Sequence, residues 1–232
     1  MIRLEGISRE FTVGDEVVHA LRNVTQEIAA GEYASMMGPS GTGKSTLLNV
    51  LGLLDTPDSG QYFLNGRDVS QLEDDALAAT RQAVIGFVFQ SFHLIPRMTA
   101  LENVELPMVL AGVRPAERRE RARDMLRKTG LESRMDHRPD QLSGGQRQRV
   151  AIARSIVMEP KVLLADEPTG NLDTQSGAEV LEILEGLHSE GLTLVMVTHD
   201  SAIGERSNLR LWMRDGEIHV DRRKEVRSHA PV

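Results

Sequence analysis

The residues best suited to chemistry lie at positions 38–46, which read Gly-Pro-Ser-Gly-Thr-Gly-Lys-Ser-Thr and fit the pattern G-x-x-x-x-G-K-[ST]. A mostly apolar run at residues 33–37 precedes them, and a segment that can continue as a helix follows at residues 47–51. Strand, glycine-rich loop and helix in this order favour a phosphate-binding loop over a chance glycine-rich turn. Glycines let successive backbone N–H groups point at an anion, and the helix N-terminus adds partial positive charge.

The same loop supplies the groups that a nucleotide and its metal need. Lys44 would reach the β- and γ-phosphates, which makes it a predicted catalytic as well as binding residue. The hydroxyl of Ser45 would ligate Mg²⁺. The sequence therefore predicts nucleotide binding, and the predicted binding residues of this loop are Ser40, Gly41, Thr42, Gly43, Lys44, Ser45 and Thr46.

Two acidic residues follow a second apolar segment. Residues 162–165, Val-Leu-Leu-Ala, are typical of a parallel strand that is buried on both faces, and they end at Asp166 and Glu167. In parallel-sheet folds ligands bind beyond the carboxyl ends of the strands. Asp166 is therefore predicted to hold Mg²⁺, directly or through water, and Glu167 to act as the base or positioner for an attacking water. The apolar strand disfavours the alternative, a surface turn of two acids.

Two more predicted strands end in polar residues. Residues 84–89 end at Gln90, and residues 193–197 lead through Thr198 to His199. His199 could hydrogen-bond the γ-phosphate or the water, and the amide oxygen of Gln90 could complete the Mg²⁺ shell and sense the γ-phosphate. A lone histidine is usually structural and a strand-end glutamine usually solvated, so both assignments depend on the phosphate loop and Asp166.

The elements that must position these residues alternate between strands and helices, which predicts an α/β core with a mostly parallel sheet. Near the N-terminus, short strands around a turn at Gly14 and Asp15 predict an antiparallel β region. From about residue 91 to 158 the pattern becomes helical and is punctuated by prolines, which predicts an inserted helical subdomain. We expect one domain over residues 1–220 and a polar, frayed tail over residues 221–232. The remaining predicted strands are 2–4, 11–13, 17–21, 61–64, 209–213 and 217–220, and the predicted helices include 74–82, 101–110, 116–128, 146–158 and 176–187.

Composition narrows the class of protein. The net charge of −7 argues against broad nucleic-acid binding, and an aromatic content of 3% is too low for a base-stacking platform. The arginine-rich segment 116–128 has acids interspersed, which favours a solvated face. No apolar run approaches the roughly 18 residues of a membrane span, and the N-terminus lacks the layout of a signal peptide. The chain has no cysteine, which is compatible with a reducing cytoplasm.

One further stretch identifies a family. Residues 142–149, Leu-Ser-Gly-Gly-Gln-Arg-Gln-Arg, resemble the signature motif of ABC-type ATPases and lie between the phosphate loop and Asp166, in the family's order. Residues 171–173 resemble its D-loop, His199 its switch histidine and Gln90 its Q-loop. The resemblance extends to about Val220 and implies a P-loop NTPase core, ATP with Mg²⁺, and ATP hydrolysis. The resemblance extends the set of predicted ATP-binding residues by six, which are Phe11, Gln90, Ser143, Gly145, Gln146 and Asp173.

Ser143 and Gly145 lie at the start of a predicted helix, which makes a second anion-binding helix end. The resemblance implies a head-to-tail dimer, in which the signature of one subunit closes over ATP held by a second copy of the chain. Phe11, where the family more commonly has tyrosine, would stack on the adenine, although a lone aromatic can equally belong to the core. Thr42 stands where serine is frequent in the family.

Residues 86–96 and 99–105 resemble the macrolide-export and lipoprotein-release branch, and residues 165–173 agree. This branch implies a peripheral subunit on the cytoplasmic face of the cytoplasmic membrane. Its partner there is an integral membrane permease with a large extracytoplasmic domain, often joined by a periplasmic adaptor. The resemblance also implies that those partners determine the cargo.

Three rival functions share these motifs. The first is an ATPase that relays mechanical work to regulators of cell-wall enzymes, since cell-division ATPases have many of the same motifs. The second is a soluble ABC ATPase acting on DNA or ribosomes, which the lack of a long coiled-coil insert disfavours. The third binds ATP without hydrolysis, which Glu167 and His199 oppose. Phe92, Leu94 and Ile95 could receive a permease helix or belong to the insert's own core.

Overall fold

The structure is a computed structural model that describes residues 1–223, with side chains described for residues 1–220. The chain divides into two compact units. The first contains Met1–Leu77 and the chain from Thr193 onward, and the second contains Ala78–Leu192. The predicted tail begins inside the last strand, which runs to Arg223, and residues 224–232 of that tail lie outside the described residues.

Strands and helices alternate as predicted. In chain order the elements are β1 (Ile2–Val13), β2 (Glu16–Ile28), β3 (Tyr33–Met37), α1 (Lys44–Leu51), β4 (Ser59–Leu64), β5 (Arg67–Asp68), α2 (Asp74–Val84), β6 (Ile85–Phe89), α3 (Ala100–Leu110), α4 (Pro115–Lys128), α5 (Gly144–Ile156), β7 (Val162–Asp166), α6 (Thr174–Ser189), β8 (Thr193–Val197), α7 (Ser201–Gly204), β9 (Leu209–Arg214) and β10 (Glu217–Arg223). Two short 3-10 turns, Glu132–Arg134 and Pro139–Gln141, precede α5.

The first unit contains two groups of strands. One is antiparallel in the order β2-β1-β4-β5, which confirms the predicted N-terminal antiparallel region. In the other, β3 lies between β8 and β9 and is parallel to both, and β10 is antiparallel to β9. The prediction of two separate strands at residues 2–4 and 11–13 was wrong. Bulges between Leu4 and Glu10, with Gly6 at φ 65°, absorb the broken alternation and keep β1 continuous.

The second unit pairs β6 and β7 in parallel and gathers three helices around one apolar core. The parallel strands β3, β7 and β8 are buried along almost their whole length, as their apolar sequences predict. Leu94 packs against the helical core, which agrees with the core alternative for this residue, whereas Ile95 is 40% exposed. The core residues of α3, α4, α5 and the adjoining loops are Ala100, Leu101, Val104, Met108, Ala122, Leu126, Leu131, Leu142, Val150, Ala153 and Val157.

Helix boundaries in the second unit follow local capping chemistry. Thr99 caps α3 by accepting a hydrogen bond from the backbone N–H of Glu102, and the Glu102 carboxylate accepts one from the N–H of Thr99 in return. Pro115 occupies the first turn of α4, where its missing N–H has no intrahelical partner to lose. Across the part of the chain that the structure describes, every helix is too short or too polar to cross a membrane.

Candidate nucleotide-binding site

The loop between β3 and α1 requires glycine at two of its positions. Gly38 has φ 143° and Gly43 has φ 97°, which side-chain-bearing residues rarely adopt. A Cβ atom would lie 2.2 Å from the carbonyl oxygen of Met213 at Gly38, and 2.2 Å from that of Ala20 at Gly43. The loop therefore packs directly on the backbones of β9 and β2, which fixes its course for a rigid anion cradle.

The N-terminus of α1 has the donors that a phosphate needs. Gly43 is the N-cap residue, no side chain caps the first turn, and the first turn holds no acidic side chain. The first N–H groups of any helix have no intrahelical acceptor, and they carry partial positive charge. This donor set fits a nucleotide phosphate, as the sequence pattern predicts.

Side chains of the loop hold it closed. The Lys44 ammonium donates to the carbonyl oxygens of Gly38 at 2.8 Å and Pro39 at 2.6 Å. The Thr42 hydroxyl donates to the same Pro39 oxygen at 2.9 Å. Lys44 thus spans the mouth of the loop, in reach of an anion held by it. Of the other predicted binding residues, Ser40, Gly41 and Ser45 are exposed and Thr46 is half-buried.

The first unit brings His199 to the same sheet edge as the phosphate loop. β8 runs parallel to β3 with Val197 opposite Met36, and the N–H of Thr198 donates to the Met36 carbonyl at 3.1 Å. His199 follows and is exposed. Asp200 then caps α7 by accepting from the N–H of Ala202 at 2.8 Å. The predicted switch histidine therefore sits in a turn that is fixed on both sides.

The second unit brings Gln90 and Glu167 together. β6 and β7 are parallel with Phe89 opposite Asp166, so the residues that follow leave the sheet side by side. A Cβ atom on Gly170 would lie 2.6 Å from the Gln90 amide nitrogen and 3.3 Å from a Glu167 carboxylate oxygen. The two side chains therefore approach the α-carbon of Gly170 closely, which is possible because glycine has no side chain. Both are half-buried, as is Asp166.

Glu167 has a strained backbone. Its φ is 44°, in the left-handed region that costs a residue with a side chain roughly 1–2 kcal/mol. The turn is closed by a hydrogen bond from the N–H of Gly170 to the Glu167 carbonyl at 3.0 Å. Strain of this kind persists only where the surrounding structure enforces it, and it is found often at functional sites. Nothing in the local sequence predicts it, since glutamate has no preference for this conformation.

The signature segment caps its own helix. α5 begins at Gly144, two residues before the predicted start, with Ser143 as N-cap. The Ser143 hydroxyl accepts from the N–H of Gln146 at 3.2 Å, and the Gln146 side-chain oxygen accepts from the N–H of Ser143 at 3.0 Å. A Cβ on Gly145 would lie 2.8 Å from Cβ of Ser176, so glycine lets α6 approach closely. The Ser143 hydroxyl keeps its own proton to donate to a phosphate.

Asp173 has a structural task in the same unit. Its carboxylate accepts from the N–H of Ser176 at 2.9 Å and caps α6. This backbone hydrogen bond is the main reason that the pKa of Asp173 is lowered. A contact of Asp173 with ATP remains a prediction.

Sequence reasoning missed Gln148, which links the signature helix to both strand ends of the second unit. Its buried side-chain amide donates to the carbonyl oxygens of Pro168 at 2.7 Å and Phe89 at 3.3 Å. Its position, three residues after Gly145 and four before Ile152, was the available signal, because this spacing places it on the buried face of α5.

The segment after Gln90 is also fixed in an unusual conformation. Phe92 has φ 60° and His93 has φ 49°. The Arg154 guanidinium donates to the carbonyl oxygens of both, at 2.9 Å and 2.6 Å respectively, and burial lowers its pKa.

In the first unit, Phe11 lies on β1 opposite Val18 and is 38% exposed, so the core alternative for this residue is wrong.

Comparison with known proteins agrees with this geometry. Residues 21–170 match a family model described as ABC transporter. The chain is 49% identical over 230 residues to the Uncharacterized ABC transporter ATP-binding protein YvrO of Bacillus subtilis, covering 99% of this chain and 100% of that protein. It is 51% identical over 224 residues to the Macrolide export ATP-binding/permease protein MacB of Brucella melitensis. That match covers 97% of this chain but 35% of the relative, so most of the relative's length lies outside it.

Solved structures give the same assignment. The chain is similar to the ATP-binding cassette MJ0796 in a dimeric post-hydrolysis state bound to ADP and Pi, with a TM-score of 0.90 and 41% identity over 97% of this chain and 100% of that chain. A second dimeric structure of MJ0796, described as a bacterial ABC transporter cassette, has a TM-score of 0.89 and 43% identity over 97% of this chain and 100% of that chain. These similarities confirm the predicted α/β P-loop NTPase fold. Since the family model matches more than half of the chain and YvrO matches almost all of it, the chain belongs to the ABC transporter family, as an ATP-binding cassette ATPase.

Proposed function

We propose that this chain is the ATPase subunit of a macrolide-export or lipoprotein-release type of transporter, and that it dimerises on ATP to drive a membrane permease. The observation that carries the proposal is the 51% identity to a protein whose name joins an ATP-binding part to a permease. The dimeric state of the structural relative MJ0796 supports the second part.

In this proposal the phosphate loop holds ATP through backbone N–H groups, the Lys44 ammonium and the hydroxyls of the loop. Glu167 positions or deprotonates the attacking water, which contributes about 10²–10⁴-fold to the rate for a well-placed base. His199 hydrogen-bonds the γ-phosphate. The predicted loop contacts remain Ser40, Gly41, Thr42, Gly43, Lys44, Ser45 and Thr46.

Mg²⁺ would neutralise charge on the phosphates. We assign its protein ligands as the Ser45 hydroxyl, the Gln90 amide oxygen and the Asp166 carboxylate. Residues 1–220 contain no group of three or more His, Asp and Glu side chains that could hold a metal by themselves. Mg²⁺ is commonly held by one or two carboxylates together with substrate phosphates, so an oxygen set with a single carboxylate fits a metal that arrives with the nucleotide.

The second copy of the chain supplies the closing surface. Ser143, Gly145, Gln146 and Asp173 of one subunit would contact ATP bound to the other, while Phe11 stacks on the adenine. The capping box supports this role for Ser143, because it orients the hydroxyl and the start of α5 before any nucleotide arrives. Closure then requires little reordering of the signature segment.

The membrane partner would be an integral permease with an extracytoplasmic domain, assisted by a periplasmic adaptor, and the chain would be peripheral on the cytoplasmic face of the membrane. The segment after Gln90 is a suitable contact, because Arg154 fixes its backbone while Ile95 is 40% exposed. The negative net charge of −7 supports the absence of nucleic acid among its partners.

The test is co-purification of tagged wild-type protein and Glu167→Gln from native membranes, with partners identified by mass spectrometry. Glu182→Gln, an exposed glutamate on α6, is the matched control. A permease with an extracytoplasmic domain, enriched with Glu167→Gln, supports the proposal. Cell-wall hydrolase regulators would replace it with mechanical relay, and ribosomes or DNA without a membrane protein would overturn it.

A further inference from the structure

Three charged side chains next to the partly exposed ring of Phe11, those of Arg9, Asp55 and Asp58, form a cluster that we call the clamp. The guanidinium of Arg9 donates to both carboxylate oxygens of Asp55, from Nε at 3.1 Å and from Nη2 at 2.8 Å. Its remaining nitrogen, Nη1, donates to Asp58 at 2.6 Å. All three guanidinium nitrogens therefore donate to a carboxylate, which holds the guanidinium in one orientation.

Asp58 also fastens the backbone of β1. Its second carboxylate oxygen accepts from the N–H of Glu10 at 2.7 Å, and its own N–H donates to the Ser8 carbonyl at 2.9 Å. The hydrogen bond from Glu10 is the main reason that the pKa of Asp58 is lowered, with Arg9 contributing in the same direction. The carboxylate of Asp58 therefore binds Arg9 and Glu10, and its backbone N–H binds Ser8, so Asp58 contacts three successive residues of the strand.

The clamped guanidinium faces the ring. Its central carbon lies 4.9 Å from the centroid of the Phe11 ring, within the range of a cation–π contact. Arg9 and Phe11 are two residues apart on β1, so they project from the same face of the strand. The ring is still 38% exposed. The part of the ring that remains exposed is open to a planar ligand.

The clamp also connects the ring to the phosphate loop. α1 begins at the loop, with Lys44, and ends at Leu51, and Asp55 and Asp58 follow in the connection to β4. Arg9 therefore ties the strand that carries Phe11 to the segment just beyond the C-terminus of the phosphate-loop helix. A ligand with a base at one end and phosphates at the other needs these two surfaces at a fixed separation.

We propose that Arg9 is a positioning residue for the adenine base: it fixes the Phe11 ring from behind and sets its place relative to the phosphate loop. This inference rests on the proposed function, since it assumes that Phe11 stacks on the base of ATP. Arg9 does not touch the nucleotide and acts through Phe11. Its loss should weaken recognition of the base and leave recognition of the phosphates unchanged.

β1 contains a matched control. The Arg3 guanidinium lies 4.1 Å from the Phe63 ring centroid and its Nε lies 3.3 Å from Glu5, so it has the same kinds of contact. Neither carboxylate of the Asp55–Asp58 clamp takes part. Arg3→Gln removes an arginine of equal charge, with a cation–π contact of its own, from the same strand without touching Phe11.

The experiment measures equilibrium binding of Mg-ATP and of Mg-tripolyphosphate, which lacks the base, to the full chain. We expect Arg9→Gln to weaken ATP binding about two- to fivefold, the range of an exposed cation–π contact. Tripolyphosphate binding should not change, and Arg3→Gln should match wild type for both ligands. Adding Arg9→Gln to Phe11→Ala should cause no further loss, because the two residues act as one unit. Arg9→Lys, which keeps the charge without the fork, serves the same test if Arg9→Gln does not fold.

Three results would overturn the inference: unchanged ATP affinity in Arg9→Gln, an equal loss for tripolyphosphate, or losses that add in the double variant with Phe11→Ala. If wild-type protein bound tripolyphosphate but showed no preference for ATP, the base site itself would be refuted. If wild type bound neither ligand, the proposed function would fail, and with it the role of Arg9. Failure of the proposed function is therefore distinguishable from failure of the clamp alone.

Discussion

Replacing Glu167 by glycine should make the protein more stable and less active at the same time. Its left-handed backbone, with φ 44°, strains any residue that carries a Cβ, and glycine removes that strain. The same change removes the carboxylate that we assign to the attacking water. Glu159 offers a matched control, because it has φ 56° and its side chain is 82% exposed, with a single long ion pair to Arg121 at 3.8 Å.

The magnitude follows from two opposing terms. Relief of the left-handed conformation contributes about 1–2 kcal/mol, and the greater freedom of glycine in the unfolded chain costs about 0.5–1 kcal/mol. The backbone contribution alone is therefore a gain of about 0–1.5 kcal/mol in unfolding free energy for either glutamate, and its midpoint corresponds to a Tm higher by about 2 °C for a chain of this length. Glu167→Gly should also lower ATP turnover at least tenfold, in line with the loss of a general base. Glu159→Gly should leave turnover unchanged.

The test measures the free energy of unfolding in urea and the steady-state rate of ATP hydrolysis for both variants and for wild type. A stability gain in Glu159→Gly together with a clear loss in Glu167→Gly would show that the Glu167 side chain stabilises the turn by more than the strain costs. Normal turnover in Glu167→Gly would refute its chemical role. Equal gains in stability with turnover lost in Glu167→Gly alone are the expected result.

Three further predictions concern caps and loops. Ser143→Ala and Thr99→Ala each remove a capping-box hydroxyl, and each should lower the free energy of unfolding in urea by about 1 kcal/mol. Only Ser143→Ala should abolish ATP-dependent dimerisation, and equal dimerisation of the two variants would argue against the signature contact. Gly43→Ala should destabilise the protein by about 1–3 kcal/mol through overpacking and abolish ATP binding, whereas Gly66→Ala, at φ 80° with open space around its α-carbon, should retain binding in the same titration. Because the pKa of Asp173 is lowered in the folded state, its stabilising effect is complete above the ordinary aspartate pKa of about 3.9 and is lost as the pH falls through the lower folded value. Asp173→Asn should therefore lose less stability than wild type between pH 6 and pH 2, and equal pH profiles would contradict the capping role.

The elements predicted well are those that local pattern decides. Mostly apolar runs predicted the positions of β3, β7 and β8, since a strand buried on both faces has little choice of sequence. The glycines of the phosphate loop were predictable because the pattern implies a backbone that curls around an anion, and φ of 143° at Gly38 and 97° at Gly43 agree with that.

The features missed depend on contacts between distant parts of the chain. Gln148 bonds to the carbonyl of Phe89, which is 59 positions away, and Gly145 is glycine because Ser176 packs against it. The strain at Glu167 arises from the turn around it rather than from its own preference. Such contacts have no short-range signal, so the sequence shows at most that a polar or small residue lies on a buried face.

The most direct test of the account is sedimentation of Glu167→Gln with and without Mg-ATP, at concentrations where wild type turns ATP over. We predict a monomer without nucleotide, a dimer with ATP, and a monomer under both conditions when Ser143→Ala is added. A monomer with saturating ATP, or ATP turnover by Glu167→Gln within tenfold of wild type, would contradict the claim that two copies close over ATP and that Glu167 governs its hydrolysis.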